Sequence, residues 1–123
     1  MAGFAKVEEM AVWRHARAFV SEVYAATRNA PFCRDFGLRD QIQRATVSIG
    51  SNIAEGFERQ GNKEFVRFLW IAKGSAAEVS TQLYFAKDLG YITEEQFKSL
   101  FTHAKQISGM IYNLIDSIKV SEK

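Results

Sequence analysis

Apolar residues recur along this chain at helical spacing in four successive runs, with no stretch of the strict alternation that marks a half-buried strand. The clearest run spans Leu38 to Phe57. At about 100° per residue, Leu38, Ile42, Ala45, Ile49 and Ile53 occupy one helix face, and Arg44, Ser48, Asn52 and Glu55 share the neighbouring one. Such a stripe needs a partner, and the following run supplies it in Phe65, Phe68, Leu69, Ala72, Ala76, Val79 and Leu83. In that run Arg67 and Glu78 have the same separation as Arg44 and Glu55 in the first.

Loop-forming residues bound the runs. Pro31, the only proline, stands between Asn29 and the pair Asp35 and Gly37. It separates a first helix, roughly Glu8 to Asn29, from a second that Asp35 caps and that ends near Gly61. Asn62 is placed to cap a third helix, which stops at Gly90. Thr93-Glu94-Glu95-Gln96 has the spacing of a capping box opening a fourth. There Phe97, Leu100, Ala104, Ile107, Ile111, Leu114 and Ile118 keep helical period. Four long helices with short connections and no internal repeat predict an all-α fold, an antiparallel up-down-up-down four-helix bundle forming a single domain over residues 1–123. Residues 1–6 and Val120 to Lys123 are expected to be loosely ordered.

The third helix carries more apolar surface than one core uses. Beyond its inward stripe, Val66, Trp70, Ala77 and Tyr84 form a second band, and Ile71, Gly74 and Phe85 lie near a third. A helix apolar around most of its circumference is buried on more than one side. The expectation is a homo-oligomer with Val66, Trp70, Ile71, Gly74 and Phe85 at the subunit contact. The alternative is that the first and fourth helices cover these residues within one subunit. Gly50, Gly56 and Gly74, each costing about 1 kcal/mol inside a helix relative to alanine, suggest close helix approach.

If the second and third helices run antiparallel from a turn at Gly61, residues equidistant from it lie at one height. Arg44 then meets Glu78, Glu55 meets Arg67, and Ser48 falls beside Gly74. With Asn52, these residues form a predicted polar network flanking a small-residue contact. Its charged pairs are open to formation within a subunit or across a boundary, because Arg67 and Glu78 point away from the main apolar stripe.

The formal net charge is +2, from 16 Lys and Arg against 14 Asp and Glu, so nucleic-acid binding would need local clustering of basic residues. Arg14 and Arg17 share a face, Arg59 and Lys63 flank the second turn, and Arg39 and Lys73 complete the candidate nucleic-acid contacts. Repeated around a ring, such residues would make a positive belt; against this, Glu58 and Glu64 sit beside Arg59 and Lys63. The single Cys33 cannot form an intramolecular disulfide, which suits a cytoplasmic protein. No signal-peptide core and no apolar run near the ~20 residues of a membrane span are present.

The motif residues Arg44-Ala45, Ser48-Ile49 and Asn52-Ile53-Ala54-Glu55-Gly56-Phe57, followed by Phe65-Val66-Arg67-Phe68-Leu69, Ala72, Gly74-Ser75 and Glu78, resemble those of a bacterial family. It is the family of four-helix bundle proteins encoded by intervening sequences in 23S ribosomal RNA genes. The similarity extends to Val12-Trp13 and Ala16 in the first helix and Leu89-Gly90-Tyr91 before the fourth. It implies an antiparallel bundle assembling as a homopentamer, an association with rRNA insertions, and no enzymatic activity. A related group, strongly basic where this chain is not, serves diversity-generating retroelements as a nucleic-acid-binding accessory to reverse transcriptase.

No catalytic constellation emerges from the residues themselves. His15 and His103 read as isolated on different helices, so neither a metal site nor a cofactor is expected. Glu55 and Glu78, as paired carboxylates, each have an arginine placed to satisfy them. No serine sits in a strand-turn-helix elbow, and no GxxxxGK[ST] phosphate loop occurs. Two functions remain: an oligomeric scaffold that contacts RNA through repeated basic patches, or a structural adaptor for a protein partner without nucleic-acid affinity.

Overall fold

The structure, a computed structural model, describes residues 3–121, and of residues 120 and 121 the backbone alone. Four helices follow one another: α1 (Ala11–Thr27), α2 (Phe36–Glu58), α3 (Asn62–Asp88) and α4 (Glu94–Ser121). Short 3-10 turns at Val7–Glu9 and Phe32–Arg34 precede α1 and α2, and no strand occurs among the described residues. The helices pack as a four-helix bundle, with α2 on α3, α3 on α4, and α1 against both α2 and α4. No helix among the described residues is long and apolar enough to cross a membrane. The expected loosening at 1–2 and at 120–123 concerns positions whose placement or side chains lie outside that description; within residues 3–6 the Ala5 amide donates to Glu9 Oε1.

The helix ends follow local chemistry. α1 begins at Ala11 and not at Glu8, because Met10 is extended and Arg14 Nη1 donates to the carbonyls of Glu8 and Glu9, at 3.0 and 2.7 Å, closing the preceding turn. Asp35 caps α2 by accepting from the Leu38 amide at 3.1 Å. Gly61, at φ 87°, and not Asn62, holds the position before α3 and makes no side-chain cap; Asn62 is the first helical residue. Only glycine takes that backbone readily, which keeps the α2–α3 connection short. At the other end of α3, Gly90 has φ 76°, its amide donates to Lys87 O, and the Tyr91 amide donates to Ala86 O. That pattern is the glycine-terminated Schellman motif. Thr93 and Gln96 form the reciprocal capping box: the Gln96 amide donates to Thr93 Oγ1 and the Thr93 amide to Gln96 Oε1.

The predicted stripes meet in the core. Ile42, Ile49 and Ile53 of α2, Phe65, Leu69 and Leu83 of α3, and Ile107 and Ile111 of α4 are buried, with Phe19 and Val23 of α1 against them; near the end of α4 it is Ile115 that is buried, and Leu114, expected in the stripe, is only partly so. The closest approach is at Gly56. A Cβ added there would stand 2.7 Å from Phe68 Cβ and 3.1 Å from Phe65 Cδ1, so a larger side chain would force α2 and α3 apart. Gly50 faces Ala16 Cβ at 3.6 Å, an ordinary contact, and Gly74 has nothing within 4 Å. Of Gly50, Gly56 and Gly74, Gly56 alone is demanded by packing inside the chain.

Gly56→Ala is accordingly expected to lower stability by about 1–3 kcal/mol through overpacking, whereas Gly74→Ala raises the stability of the isolated fold by up to about 1 kcal/mol; urea denaturation measures both. Asp35 supplies a second test. Its carboxylate accepts from the Leu38 amide and, at 2.9 Å, from the Tyr91 hydroxyl, and these bonds hold its pKa below the ordinary value while raising that of Tyr91. With the folded pKa depressed, the contribution is complete above about pH 4 and is lost as pH falls through the folded value. Asp35→Ala should lower Tm at pH 7 and make progressively less difference in more acidic buffer.

Candidate functional site

The small polar residues of the α2–α3 seam come together. Ser48 Oγ and Ser75 Oγ share a hydrogen bond of 3.0 Å, and Asn52 Nδ2 donates to Ser48 O at 2.8 Å and to Ser48 Oγ at 2.9 Å. Ser75, beside Gly74, is buried. The charged residues of the predicted network do not join in. Glu55 accepts from Arg59 Nη2 at 2.8 Å along its own helix, and Arg67 binds Glu64, with Nε 3.0 Å from Oε2, along α3. Local partners three and four residues away win because these side chains lie outside the stripes that meet, with about half of each in solvent. Arg44 and Glu78 are exposed and form no ion pair or hydrogen bond among the described residues. Neither predicted charged rung forms within the chain.

The candidate basic residues are dispersed. Arg14 is committed to the carbonyls before α1, and the Arg17 guanidinium lies 6.0 Å from the Trp13 ring centroid. Arg39 bonds Asp40 and the Cys33 carbonyl and lies over Phe36. At the second turn, Arg59 and Arg67 flank the Phe68 ring at 5.1 and 4.6 Å, each already paired with a glutamate. The Arg67 guanidinium bonded to Glu64 holds that carboxyl below the usual carboxylate range. Lys63 beside this turn and Lys73 in the middle of α3 have no ion pair among the described residues.

The expected contact residues on α3 divide. Trp70, Ile71 and Phe85 are 43%, 41% and 51% exposed, and a Cβ added at Gly74 would meet nothing within 4 Å. Val66, expected with them, is partly buried against the core. Tyr84, Leu89, Val47 and Tyr112 add to the exposed apolar area. Tyr112 meets Trp70 edge-on at 6.3 Å, and Lys119 Nζ lies 5.7 Å from the Trp70 ring centroid.

One cluster escaped the sequence. His15 and His103, read there as isolated, are joined across the α1–α4 seam, Nδ1 of the first 3.0 Å from Nε2 of the second. His103 Nδ1 lies 2.9 Å from Glu22 Oε1. A carboxylate can only accept, so His103 carries its proton on Nδ1, and in the neutral pair His103 Nε2 accepts from His15 Nδ1–H. Phe19 packs edge-on against His103, whose side chain is 15% exposed. Neither histidine follows a motif, and no short turn sets the register between the first and last helices; the sequence therefore gave no signal for this pairing. Among the described residues no group of three or more His, Cys, Asp or Glu side chains is arranged to hold a metal ion.

The family profile described as 23S rRNA-intervening sequence protein matches residues 8–113. The chain belongs to this family. A similar solved structure is the crystal structure of a protein of unknown function from the S23 ribosomal protein family of Bacteroides thetaiotaomicron. It is 28% identical, with a TM-score of 0.78 over 85% of this chain and 97% of that one. No curated protein matches. Membership in the 23S rRNA-intervening sequence family and the likeness to a protein of unknown function assign no activity.

Arg44→Ala and Glu78→Ala, measured by urea denaturation at low protein concentration, should each change stability by less than about 0.5 kcal/mol. Asn52→Ala, which removes both bonds to Ser48, should cost about 1 kcal/mol.

Proposed function

We propose that this member of the 23S rRNA-intervening sequence family is a non-catalytic scaffold that assembles with copies of itself, in the homopentamer the family resemblance implies, and associates with RNA. The observation that carries the self-assembly is the exposed apolar face of α3. Trp70, Ile71 and Phe85 are exposed on the same side of α3 as Gly74, a helix-interior glycine at which an added Cβ would meet nothing within 4 Å. Exposed apolar patches of this kind mark contact surfaces, and a glycine without a packing role inside the chain has one if a second backbone approaches it. Arg44 and Glu78, which form no ion pair among the described residues, are complementary charges available to the same contact. Cys33, with no disulfide partner, suits a cytoplasmic setting.

RNA association is the finer part of this reading. It rests on Lys63 and Lys73, which form no ion pair among the described residues, repeated around a ring so that a low charge per subunit multiplies. Arg59 contributes less, being paired with Glu55. The second reading, a protein adaptor built on the Trp70 and Phe85 surface, is favoured by the same exposed aromatic side chains and would be insensitive to salt.

Light scattering coupled to size exclusion is expected to give a multimer for the wild type and a monomer for Trp70→Glu; a wild-type monomer at tens of micromolar would overturn the assembly. Fluorescence anisotropy with structured RNA at low and physiological salt, with an Arg59→Glu/Lys63→Glu variant alongside, tests the rest. Salt-sensitive binding that the variant loses supports RNA association, and no binding at low salt favours the adaptor.

A further inference from the structure

We propose that His15 and His103 form a two-imidazole site for a late first-row divalent ion, Zn2+ or Cu2+, that clasps α1 to α4. The two nitrogens converge to 3.0 Å from different helices, with the rings nearly perpendicular at 82° and their centroids 5.2 Å apart. Two nitrogens bound tetrahedrally to zinc at 2.0–2.1 Å stand about 3.3 Å apart. A small opening of the pair with a swing of one ring therefore turns the hydrogen bond into a chelate. Imidazole suits zinc and copper.

The second nitrogen of His103 is already held as a metal-binding histidine requires. Glu22 Oε1 accepts from His103 Nδ1–H at 2.9 Å, which fixes the tautomer and leaves the lone pair of Nε2 directed at His15. Phe19 restrains the same ring from the side. His15 now carries its proton on the nitrogen that would bind. Ion binding moves that proton from Nδ1 to Nε2, so no net proton is released when both imidazoles start neutral. The pair borders a shallow depression of about 640 Å³ lined also by Lys98, Ser99, Thr102 and Gln106, with room for water to complete the coordination. Two protein ligands make an open, exchangeable site of modest affinity, unlike a closed structural site with four.

Isothermal titration of the metal-free full chain with Zn2+ alone is expected to show one ion per chain, weakened at least tenfold in His15→Ala and in His103→Ala. Glu22→Gln should weaken it about tenfold, and Cys33→Ser should leave it unchanged. Acidification should weaken binding, because a protonated imidazole cannot ligate. No Zn2+ binding by the wild type, or equal binding by wild type and both histidine variants, overturns the proposal. If a histidine variant fails to fold, electron paramagnetic resonance of Cu2+ on the unmodified chain decides: nitrogen couplings from two imidazoles support the site, and fewer than two refute it.

Discussion

The bundle depends on how closely α2 and α3 approach at Gly56. With no side chain there, Phe65 and Phe68 lie directly on the α2 backbone, and the two inward stripes interlock along their length. Packing at this density tolerates no added methyl without movement. From that contact the Gly61 turn follows, because two helices so close need a short connection, and only a glycine there supplies the left-handed backbone. The Ser48–Ser75 bond higher in the same seam is compatible with one axial register: sliding the helices by a turn would part the two hydroxyls.

Much of this architecture was legible from sequence because it is governed by local rules. The period of the apolar stripes, the Asp35 cap, the Thr93 capping box and the helix-ending Gly90 all act within a few residues of themselves, and each occurs where the pattern placed it. Errors arose where two local options competed. Arg14 took the carbonyls of Glu8 and Glu9 and delayed α1. Glu55 and Arg67 had opposite charges in reach along their own helices and took those before partners across the seam.

The candidate site was legible only in part, for a related reason. Exposure of Trp70 and Phe85 followed from surplus apolar surface on α3, since one stripe satisfies one core. Val66 is nearer the core than its position in the apolar band suggested. The meeting of His15 with His103 depends on the rotation and height of two helices that are far apart in sequence and share no turn. Periodicity says which face a residue occupies, and both histidines lie beside apolar positions, but it does not say what stands opposite.

The four seams are unequal. α2 and α3 share the most extensive contact and α1 and α4 the least, yet the latter holds the polar chain of Glu22, His103 and His15. Native-state opening runs through the least cemented elements first. Amides of α1 should therefore exchange with solvent in subglobal events that leave α2 and α3 protected as one cooperative unit, and α1 becomes the part of the bundle through which its interior is most readily reached.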